Sequence, residues 1–342
     1  MAKQRKKIVF FEIEPWEEDY LRVELEKRLP EKVYLEFFET PLTNRKIKQI
    51  TDAEILAVFI YSNISRETVD NLPNLKFIAT MSTGFDHIDL TACQKKGIKV
   101  SNVPYYGENT VAEHTFALIL ALSRKIPQSI ERTRKGDFTL KNLRGFDLKD
   151  KTIGIIGLGH IGRQVAQIAS GFRMKVIAYD VKKDLKTAKR LKVKYVGLDY
   201  LLKKSDIISL HAPYNPLTHH LINKKNIKKI KRGAYLINTA RGGLVETEAL
   251  ILALEKGILA GAGLDVLEEE CFVKEEKALL TKPFQKECDL KTILQNHFLL
   301  QNPKVFITPH NAFNSQEALI RILDTTINNI VSFIKRKPIN LV

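Results

Sequence analysis

The feature that most constrains the fold is a glycine-rich turn between an apolar strand and an amphipathic helix. Residues 152–162 read Thr-Ile-Gly-Ile-Ile-Gly-Leu-Gly-His-Ile-Gly, with Gly157, Gly159 and Gly162 in the spacing G-x-G-x-x-G. Gly157 permits a tight turn, Gly159 lets a phosphate approach the backbone, and Gly162 lets the helix pack close to the strand. A strand that enters a helix in this way is typical of a parallel α/β sheet.

The same turn predicts a nucleotide site. The helix that starts near His160 and Ile161 offers N–H groups and a partial positive charge, which suit a pyrophosphate. A second strand ends at Asp180, 18 residues after the last glycine, where a carboxylate can bind the hydroxyls of an adenosine ribose. Because Asp180 would repel a 2′-phosphate, NAD is favoured over NADP, although Lys182 and Lys183 keep NADP open.

Short apolar runs alternate with amphipathic helical stretches through most of the chain, which predicts parallel strands joined by helices. The 342 residues are enough for two domains. The first series of predicted strands covers 7–13, 32–38, 55–60, 75–80 and 98–103. The second series covers 152–156, 174–179, 206–210, 234–238, 260–265 and 304–308. Long apolar helices are predicted over 109–126 and 316–334, and on pattern alone the last helix would complete the second series.

The charge balance is strongly basic: 55 Lys and Arg residues stand against 39 Asp and Glu residues, a formal net charge of +16. Such a balance can indicate nucleic-acid binding. The basic residues are spread along predicted helix faces, as in 182–190 and 224–232, which is typical of a solvated lysine-rich surface. A positive field would still help a small anion to reach its site, so we expect a small anionic substrate and no nucleic acid.

Cysteine usage indicates a reducing compartment. Cys93, Cys271 and Cys288 are too few for a disulfide framework, and no Cys or His cluster has the spacing of metal ligands. The basic start of the chain leads into only four apolar residues, 8–11, which are too few for a secretory or membrane-spanning segment. We therefore expect a cytoplasmic protein with no metal and no membrane partner.

Three later segments carry the chemistry, and each follows a predicted strand. They read Asn-Thr-Ala-Arg-Gly-Gly-Leu-Val at 238–245, Gly-Ala-Gly-Leu-Asp-Val at 261–266, and Thr-Pro-His-Asn-Ala-Phe at 308–313. Three glutamates at 268–270 stand behind the second segment. Since ligands bind at the carboxyl ends of strands in open α/β sheets, an arginine, a carboxylate and a histidine can converge there.

Together with the glycine turn, these segments resemble the D-2-hydroxyacid dehydrogenase family over essentially the whole chain. His-Ala-Pro at 211–213 and Ser-Thr-Gly-Phe-Asp-His-Ile-Asp at 82–89 add to the resemblance. It implies an α/β fold of two Rossmann-like, doubly wound parallel-sheet domains with a cleft and a hinge between them. The flavodoxin-like substrate domain would be discontinuous, at 1–107 plus 310–342, so that the last helix returns to it. The NAD-binding domain would cover 108–309.

The resemblance also implies the site residues. The catalytic residues would be Arg241, Glu270 as the catalytic acid and His310 as the proton donor. Glu270 lies 29 residues after Arg241, as in lactate-type members, with Glu268 or Glu269 as the fallback. The expected cofactor-binding residues are Gly157, Gly159, His160, Ile161, Gly162, Asp180, His211, Ala212, Pro213, Thr218, Thr239, Ala240 and Asp265, the last near the nicotinamide carboxamide. The expected substrate-binding residues are Thr83, Gly84, Tyr106, Arg241 and Phe313.

These residue types suit the reduction of a 2-oxo acid, which presents a carboxylate and a ketone. His310 would protonate the carbonyl oxygen as hydride reaches the carbonyl carbon. Glu270, bonded to the other ring nitrogen, would fix the tautomer of His310. Arg241 would bind the carboxylate with its planar fork, and backbone N–H groups near 83–84 would bind the carboxylate's other oxygen. The remaining histidines His114, His219, His220 and His297 are expected to lie at an interface or the surface, and Cys271 to be inert.

Tyr106, Phe313 and the long segment 271–303 favour the lactate-type branch, with pyruvate and D-lactate as the substrate pair. Other 2-oxo acids stay open (2-oxobutyrate, phenylpyruvate, branched oxo acids and glyoxylate), as does phosphite oxidation. A non-enzymatic alternative is an NAD-sensing interaction protein similar to the C-terminal-binding-protein corepressors, although no partner-binding tail is evident. The family implies a homodimer with the 109–126 helix at the contact.

Overall fold

The computed structural model describes residues 6–29, 33–268 and 290–342 of the chain. The chain divides into two compact units. The first comprises Met1–Tyr106 and Ser315–Val342, and the second comprises Gly107–Asn314. The family resemblance implied that residues 107 and 310–314 belong to the first unit. In the structure they belong to the second unit, where Asp265 is bonded to the loop that follows the last strand.

The first unit is built on a five-stranded parallel sheet with the order β2-β1-β3-β4-β5, which is the order of flavodoxin-like sheets. Strands β1, β3 and β4 are almost wholly buried, as their continuous apolar sequences require. The strands are β1 (Lys7–Phe11), β2 (Tyr34–Phe38), β3 (Ile55–Val58), β4 (Phe77–Thr80) and β5 (Lys99–Ser101).

Five helices of the described residues belong to this unit: α1 (Pro15–Arg28), α2 (Asn44–Ile47), α3 (Arg66–Asp70), α4 (Leu90–Lys95) and the last helix of the chain, α12 (Gln316–Ile334). Helix α12 packs on the sheet and on α1. The Phe333 ring stacks on Phe77 with 4.4 Å between centroids, and Tyr20 Oη donates to Asp324 Oδ1 at 3.1 Å. The last helix therefore lies in the first unit, as the family resemblance implied.

The last residues of the chain run beside β5. Leu341 forms an antiparallel bridge with Ser101, and Asn102 N donates to Asn340 O at 3.1 Å. The Asn340 side chain donates to Asn329 Oδ1, the Asn329 side chain to Asn102 O, and the Asn102 side chain to Thr83 O, each at 2.8 Å. Three asparagine amides thus connect this tail to the loop after β4.

The second unit is built on a seven-stranded parallel sheet with the order β8-β7-β6-β9-β10-β11-β12. The order reverses at β6, which puts a crevice at the carboxyl ends of the strands on either side of this point. The strands are β6 (Thr152–Ile156), β7 (Lys175–Tyr179), β8 (Lys194–Tyr195), β9 (Ile207–Leu210), β10 (Ala234–Asn238), β11 (Leu259–Leu264) and β12 (Val305–Ile307). Two parallel-sheet α/β domains are thereby confirmed.

Seven helices of the described residues belong to this unit: α5 (Glu108–Arg124), α6 (Ile126–Arg134), α7 (His160–Gly171), α8 (Leu185–Leu191), α9 (Leu198–Lys204), α10 (Thr247–Glu255) and α11 (Leu290–Gln301). The apolar side of α5 is buried within the unit, where Phe116, Leu118, Ile119 and Leu122 belong to the same core cluster as Ile153. These four side chains therefore pack inside the second unit.

Within the described parts of the chain, no helix has the length and apolar content needed to cross a bilayer. The predicted strands agree with the observed ones to within a few residues. The exception is β8, which was not predicted because its two residues, Lys194 and Tyr195, show no apolar periodicity.

Candidate active site

The glycine turn has the geometry that its spacing predicts. Gly157 has a φ of 93°, and a Cβ there would lie 2.6 Å from His211 O. A Cβ on Gly162 would collide with the carbonyl oxygen of Gly157, so the close packing of α7 on β6 requires glycine. By contrast, a Cβ on Gly159 would meet nothing within 4 Å, so the turn faces open space at this residue. Helix α7 begins at His160, and no side chain caps its N-terminus.

Asp180 follows β7 directly and lies against the glycine turn. Its Oδ2 accepts from Leu158 N at 2.7 Å, and its Oδ1 accepts from Lys182 N at 2.9 Å. The carboxylate is thus fixed next to the turn and to the N-terminus of α7. An open glycine cradle, an uncapped helix N-terminus and an adjacent carboxylate together fit the pyrophosphate and ribose of a dinucleotide.

His211, Ala212 and Pro213 follow β9 and approach the glycine turn with their backbone. Burial lowers the pKa of His211 to about 3, and its Nε2 is paired with Ser209 Oγ at 2.8 Å. The imidazole is therefore neutral and faces the interior, so a contact with the cofactor would have to come from the backbone. The Thr218 hydroxyl donates to Pro213 O at 2.7 Å and closes the turn that follows.

The segment after β10 is held by one buried amide. The Asn238 side chain accepts from Ala240 N at 3.1 Å and donates to Arg241 O at 2.9 Å. Arg241 is half-buried at the carboxyl edge of the sheet, and its Nη1 donates to Ala240 O at 2.8 Å. Thr239, 8% exposed, is paired through its hydroxyl with Thr115 of α5 at 3.0 Å.

Asp265 follows β11 and organises the loop that carries His310. Its carboxylate, 1% exposed, accepts from the Thr308 hydroxyl, from Asn311 N at 2.8 Å and from Ala312 N at 2.8 Å. The backbone carbonyl of Asp265 accepts from His310 N at 2.9 Å. The family resemblance implies that Asp265 lies near the nicotinamide carboxamide; in the structure its carboxylate is bonded to this loop.

His310 has a φ of 54°, a left-handed conformation that is uncommon for a residue with a Cβ. Such a conformation persists only where surrounding contacts hold it, and those of Asp265 on both sides of His310 do so. Burial alone would raise the pKa of Asp265. The bonds from His114, Thr308 and the two backbone N–H groups outweigh burial and leave the pKa below its ordinary value.

His114 in α5 belongs to the same cluster, although the sequence assigned it no role. Its Nε2 lies 3.0 Å from Thr308 Oγ1 and 3.5 Å from Asp265 Oδ1. Sequence reasoning missed this contact because 194 residues separate His114 from Thr308. The only signal was a polar residue within an otherwise apolar helix face.

Glu270, Glu269 and Cys271 lie outside the described residues. Glu268, the other fallback for the catalytic acid, is described, and its carboxylate is bonded elsewhere. Its Oε1 accepts from His220 Nε2 at 2.5 Å, and its Oε2 accepts from Thr247 N at 2.9 Å, at the start of α10. His220 is thus not a plain surface residue, because it helps to anchor the segment that leads towards Glu270.

The expected substrate-binding residues fall on both units. In the first unit, the Thr83 hydroxyl donates to Val103 O at 2.8 Å, and Tyr106 O accepts from Arg321 Nε at 2.6 Å. Thr83 is exposed, and Gly84 is half-buried. In the second unit, half-buried Phe313 follows the His310 loop. Among the described residues, no group of His, Cys, Asp or Glu could hold a metal ion.

Comparison with known proteins adds four findings. Residues 116–312 match the family model of the D-isomer specific 2-hydroxyacid dehydrogenase, NAD binding domain. The chain is 35% identical to D-lactate dehydrogenase of Escherichia coli, with 86% of this chain and 88% of that protein covered. It is 38% identical to glyoxylate reductase of Thermofilum pendens, with 86% and 82% covered. In structure it is similar to D-lactate dehydrogenase from Aquifex aeolicus complexed with NAD and lactic acid, with a TM-score of 0.84, 37% identity and 96% of each chain covered.

Proposed function

The chain belongs to the D-isomer-specific 2-hydroxyacid dehydrogenases, a family of NAD-dependent oxidoreductases, and on that premise we propose that it reduces pyruvate to D-lactate with NADH. The observation that carries the proposal is the arrangement at the carboxyl edge of the seven-stranded sheet. The glycine turn, Asp180, Arg241 and the His310 loop each follow a different strand of that one edge. A nucleotide cradle, a fixed cation and an acid–base histidine are the groups that reduction of a 2-oxo acid requires.

When bound, NADH supplies the hydride to the carbonyl carbon. His310 supplies the proton to the carbonyl oxygen, so the ketone becomes a secondary alcohol. Arg241 binds the substrate carboxylate through a forked, charge-assisted pair and polarises the carbonyl. As the family resemblance implies, Glu270 would hold the His310 tautomer, and backbone N–H groups at Thr83 and Gly84 would bind the second carboxylate oxygen.

The remaining expected residues shape the site. Gly157, Gly159 and Gly162 with the N-terminus of α7 bind the pyrophosphate, and Asp180 binds the ribose. The backbone at 211–213 and at 239–240 borders the nucleotide. The family resemblance gives Tyr106 and Phe313 as substrate-pocket residues, and aromatic side chains there would favour a substrate side chain as small as the methyl of pyruvate.

A panel of 2-oxo acids tests the substrate. Purified protein is mixed with NADH and, in separate assays, with pyruvate, 2-oxobutyrate, phenylpyruvate, a branched oxo acid and glyoxylate. We expect the highest kcat/KM with pyruvate and only the D-enantiomer of lactate as product. Glyoxylate is the second candidate, because a relative with 38% identity is a glyoxylate reductase. Absence of NADH oxidation with every acid would refute the enzyme proposal and favour an NAD-sensing binding protein.

Two substitutions test the catalytic assignments. Removing the acid–base group in His310→Gln should lower kcat by about 10²–10⁴-fold. Arg241→Gln should lower kcat/KM by about 10²-fold or more, because it removes a fixed cation from the developing charge. Arg66→Gln, at a residue of the first unit whose side chain is 78% exposed, serves as the control and should behave as wild type. NADH binding, measured by fluorescence, should survive in all three variants; normal turnover in either of the first two would contradict its assignment.

We also propose that the protein is a homodimer, with a contact that includes α6 and the loop after it. Four apolar side chains there are exposed: Ile126 at 45%, Ile130 at 46%, Phe138 at 78% and Leu140 at 84%. A cluster of exposed apolar side chains is typical of an interaction surface.

The double variant Phe138→Ser, Leu140→Ser tests the dimer, because it removes the two most exposed apolar side chains of that surface. Light scattering after gel filtration should report a dimer for wild type and a monomer for the variant. The matched control is Leu217→Ser, which replaces an apolar side chain that is 93% exposed elsewhere. A monomeric wild type would contradict the proposal.

A further inference from the structure

His114 of α5 lies in the cluster that holds the His310 loop. Its side chain is 19% exposed, while that of Asp265 is 1% exposed. Its Nε2 lies 3.0 Å from Thr308 Oγ1 and 3.5 Å from Asp265 Oδ1, and all three residues belong to the second unit. The contact is therefore internal to one compact unit.

The hydrogens of this cluster can be assigned by counting donors. The Thr308 hydroxyl has one hydrogen, which it donates to Asp265 Oδ1. The Asp265 carboxylate also accepts from two backbone N–H groups, so it is ionised and has no hydrogen to give. Thr308 Oγ1 can therefore only accept from His114, and His114 Nε2 must carry a hydrogen. His114 therefore donates to Thr308, and Thr308 donates to Asp265.

We propose that His114 is a positioning residue for His310, which it serves by donating from Nε2 to Thr308 and thereby orienting the Asp265 carboxylate. The inference deepens the proposed function, on which its catalytic part rests. Asp265 Oδ1 and Oδ2 receive the N–H groups of Asn311 and Ala312, the two residues that follow His310. A shift of the carboxylate therefore moves the backbone immediately beside the acid–base group.

The left-handed φ of His310 makes the loop sensitive to this contact. That conformation is intrinsically unfavourable and depends on the bonds around it. If His114 no longer donates, Thr308 Oγ1 becomes a half-buried acceptor without its partner, and its hydroxyl can rotate away from Asp265. A small displacement of the imidazole is costly in rate because proton transfer needs close alignment with the carbonyl oxygen.

Three substitutions of His114 separate hydrogen bonding from packing. His114→Leu keeps much of the packing volume and removes the donor. His114→Gln can place an amide N–H where Nε2 stood, whereas the shorter His114→Asn places its amide near the former Nδ1 and cannot reach Thr308. We expect kcat to fall about tenfold or more in the Leu and Asn variants and to remain near wild type in the Gln variant. The Kd for NADH should stay constant throughout.

A second measurement does not depend on turnover. Amide hydrogen exchange at Asn311 and Ala312 should be slow in wild type and His114→Gln and faster in His114→Leu and His114→Asn. Exchange in β6 should be equal in all four proteins, which excludes global destabilisation. If the Leu variant fails to fold, the Gln and Asn variants still give the comparison.

The outcomes are distinguishable. The inference is overturned if all variants turn over normally with unchanged exchange, or if Gln behaves as Asn does. If wild-type protein oxidises no NADH with any 2-oxo acid but the exchange pattern holds, the proposed function fails while the role of His114 in ordering the loop stands.

Discussion

Asp265 shows how much one buried carboxylate can organise. Two backbone N–H groups, one hydroxyl and one imidazole converge on it, and none of these groups is close to it in sequence. A carboxylate has enough lone pairs to accept from the hydroxyl and from both N–H groups, which the amide of asparagine does not.

Asp265→Asn should therefore destabilise the second unit. The new NH₂ group would face a backbone N–H that needs an acceptor, which costs about 1–3 kcal/mol in the free energy of unfolding. We also expect a lower kcat, since His310 sits between the bonds that are lost. Chemical denaturation and steady-state kinetics measure both effects, and a variant of wild-type stability would contradict this account of the loop.

The pKa of Asp265 fixes the sign of its pH dependence. Because its pKa in the folded protein is lowered, its stabilisation is fully present above the ordinary value of about 4 and is lost as pH falls through the lower folded pKa. The stability difference between wild type and Asp265→Asn should accordingly be constant near neutral pH and shrink only in acid. A difference that already shrinks between pH 6 and about 5 would show that another group is responsible.

At this scale the sequence predicts residue types better than residue roles. The glycine turn was predictable because its spacing encodes a backbone geometry. The contacts of Asp265 and His114 were not, because they depend on which parts of α5 and the loop after β12 meet in space. A histidine on an apolar helix face carries no local sign of its partner.

Among the elements, helix α7 allows a matched test of the glycine turn. Gly162, at its start, has no room for a Cβ, whereas Gly171, at its end, would meet no atom within 4 Å. Gly162→Ala should weaken NADH binding and lower stability, because α7 must move away from β6. Gly171→Ala should raise the free energy of unfolding by about 0.5–1 kcal/mol through helix propensity. Thermal unfolding should show lower stability for Gly162→Ala and higher stability for Gly171→Ala, and NADH titration should show weaker binding for Gly162→Ala. Equal behaviour of the two variants would contradict the packing argument.

The strands were predictable where apolar runs are continuous. Strands β6 and β10 coincide with the predicted ranges because buried parallel strands are apolar throughout. The two-residue β8 has no such signal. Helix α5 was predicted in position, and four of its apolar side chains belong to the core of its own unit.

For the whole molecule, pattern alone assigned the last helix to the second unit, which is wrong, and only the family resemblance assigned it to the first unit. The physical reason lies in contacts such as Phe77 with Phe333, which join residues far apart in sequence. The predicted return of the chain to the first unit, at residue 310, lies five residues before the observed one at Ser315. The reason is that bonds to Asp265 hold the loop up to Asn314 in the second unit. The cytoplasmic location stays a prediction from cysteine usage.

The asparagine connection in the first unit provides a prediction at this scale. Asn340→Ala removes the donor to Asn329 Oδ1, a buried side-chain oxygen that then lacks a partner. We expect this loss to lower the free energy of unfolding by about 1–3 kcal/mol. Because the connection ends at Thr83 O, we expect a raised KM for the oxo acid and an unchanged Kd for NADH. Asn74→Ala, which removes an exposed amide, is the control. An unchanged KM would show that the tail does not influence substrate binding.

The tail beside β5 has one more consequence. Strand β5 is the last strand of its sheet, and Asn340 and Leu341 lie along its outer side, where Val342 N also donates to Val100 O. An uncovered strand edge is a template for intermolecular pairing and aggregation. The same few residues that steady the Thr83 loop thus also shield the protein from edge-to-edge self-association, and a variant trimmed by four residues should lose solubility before it loses its fold.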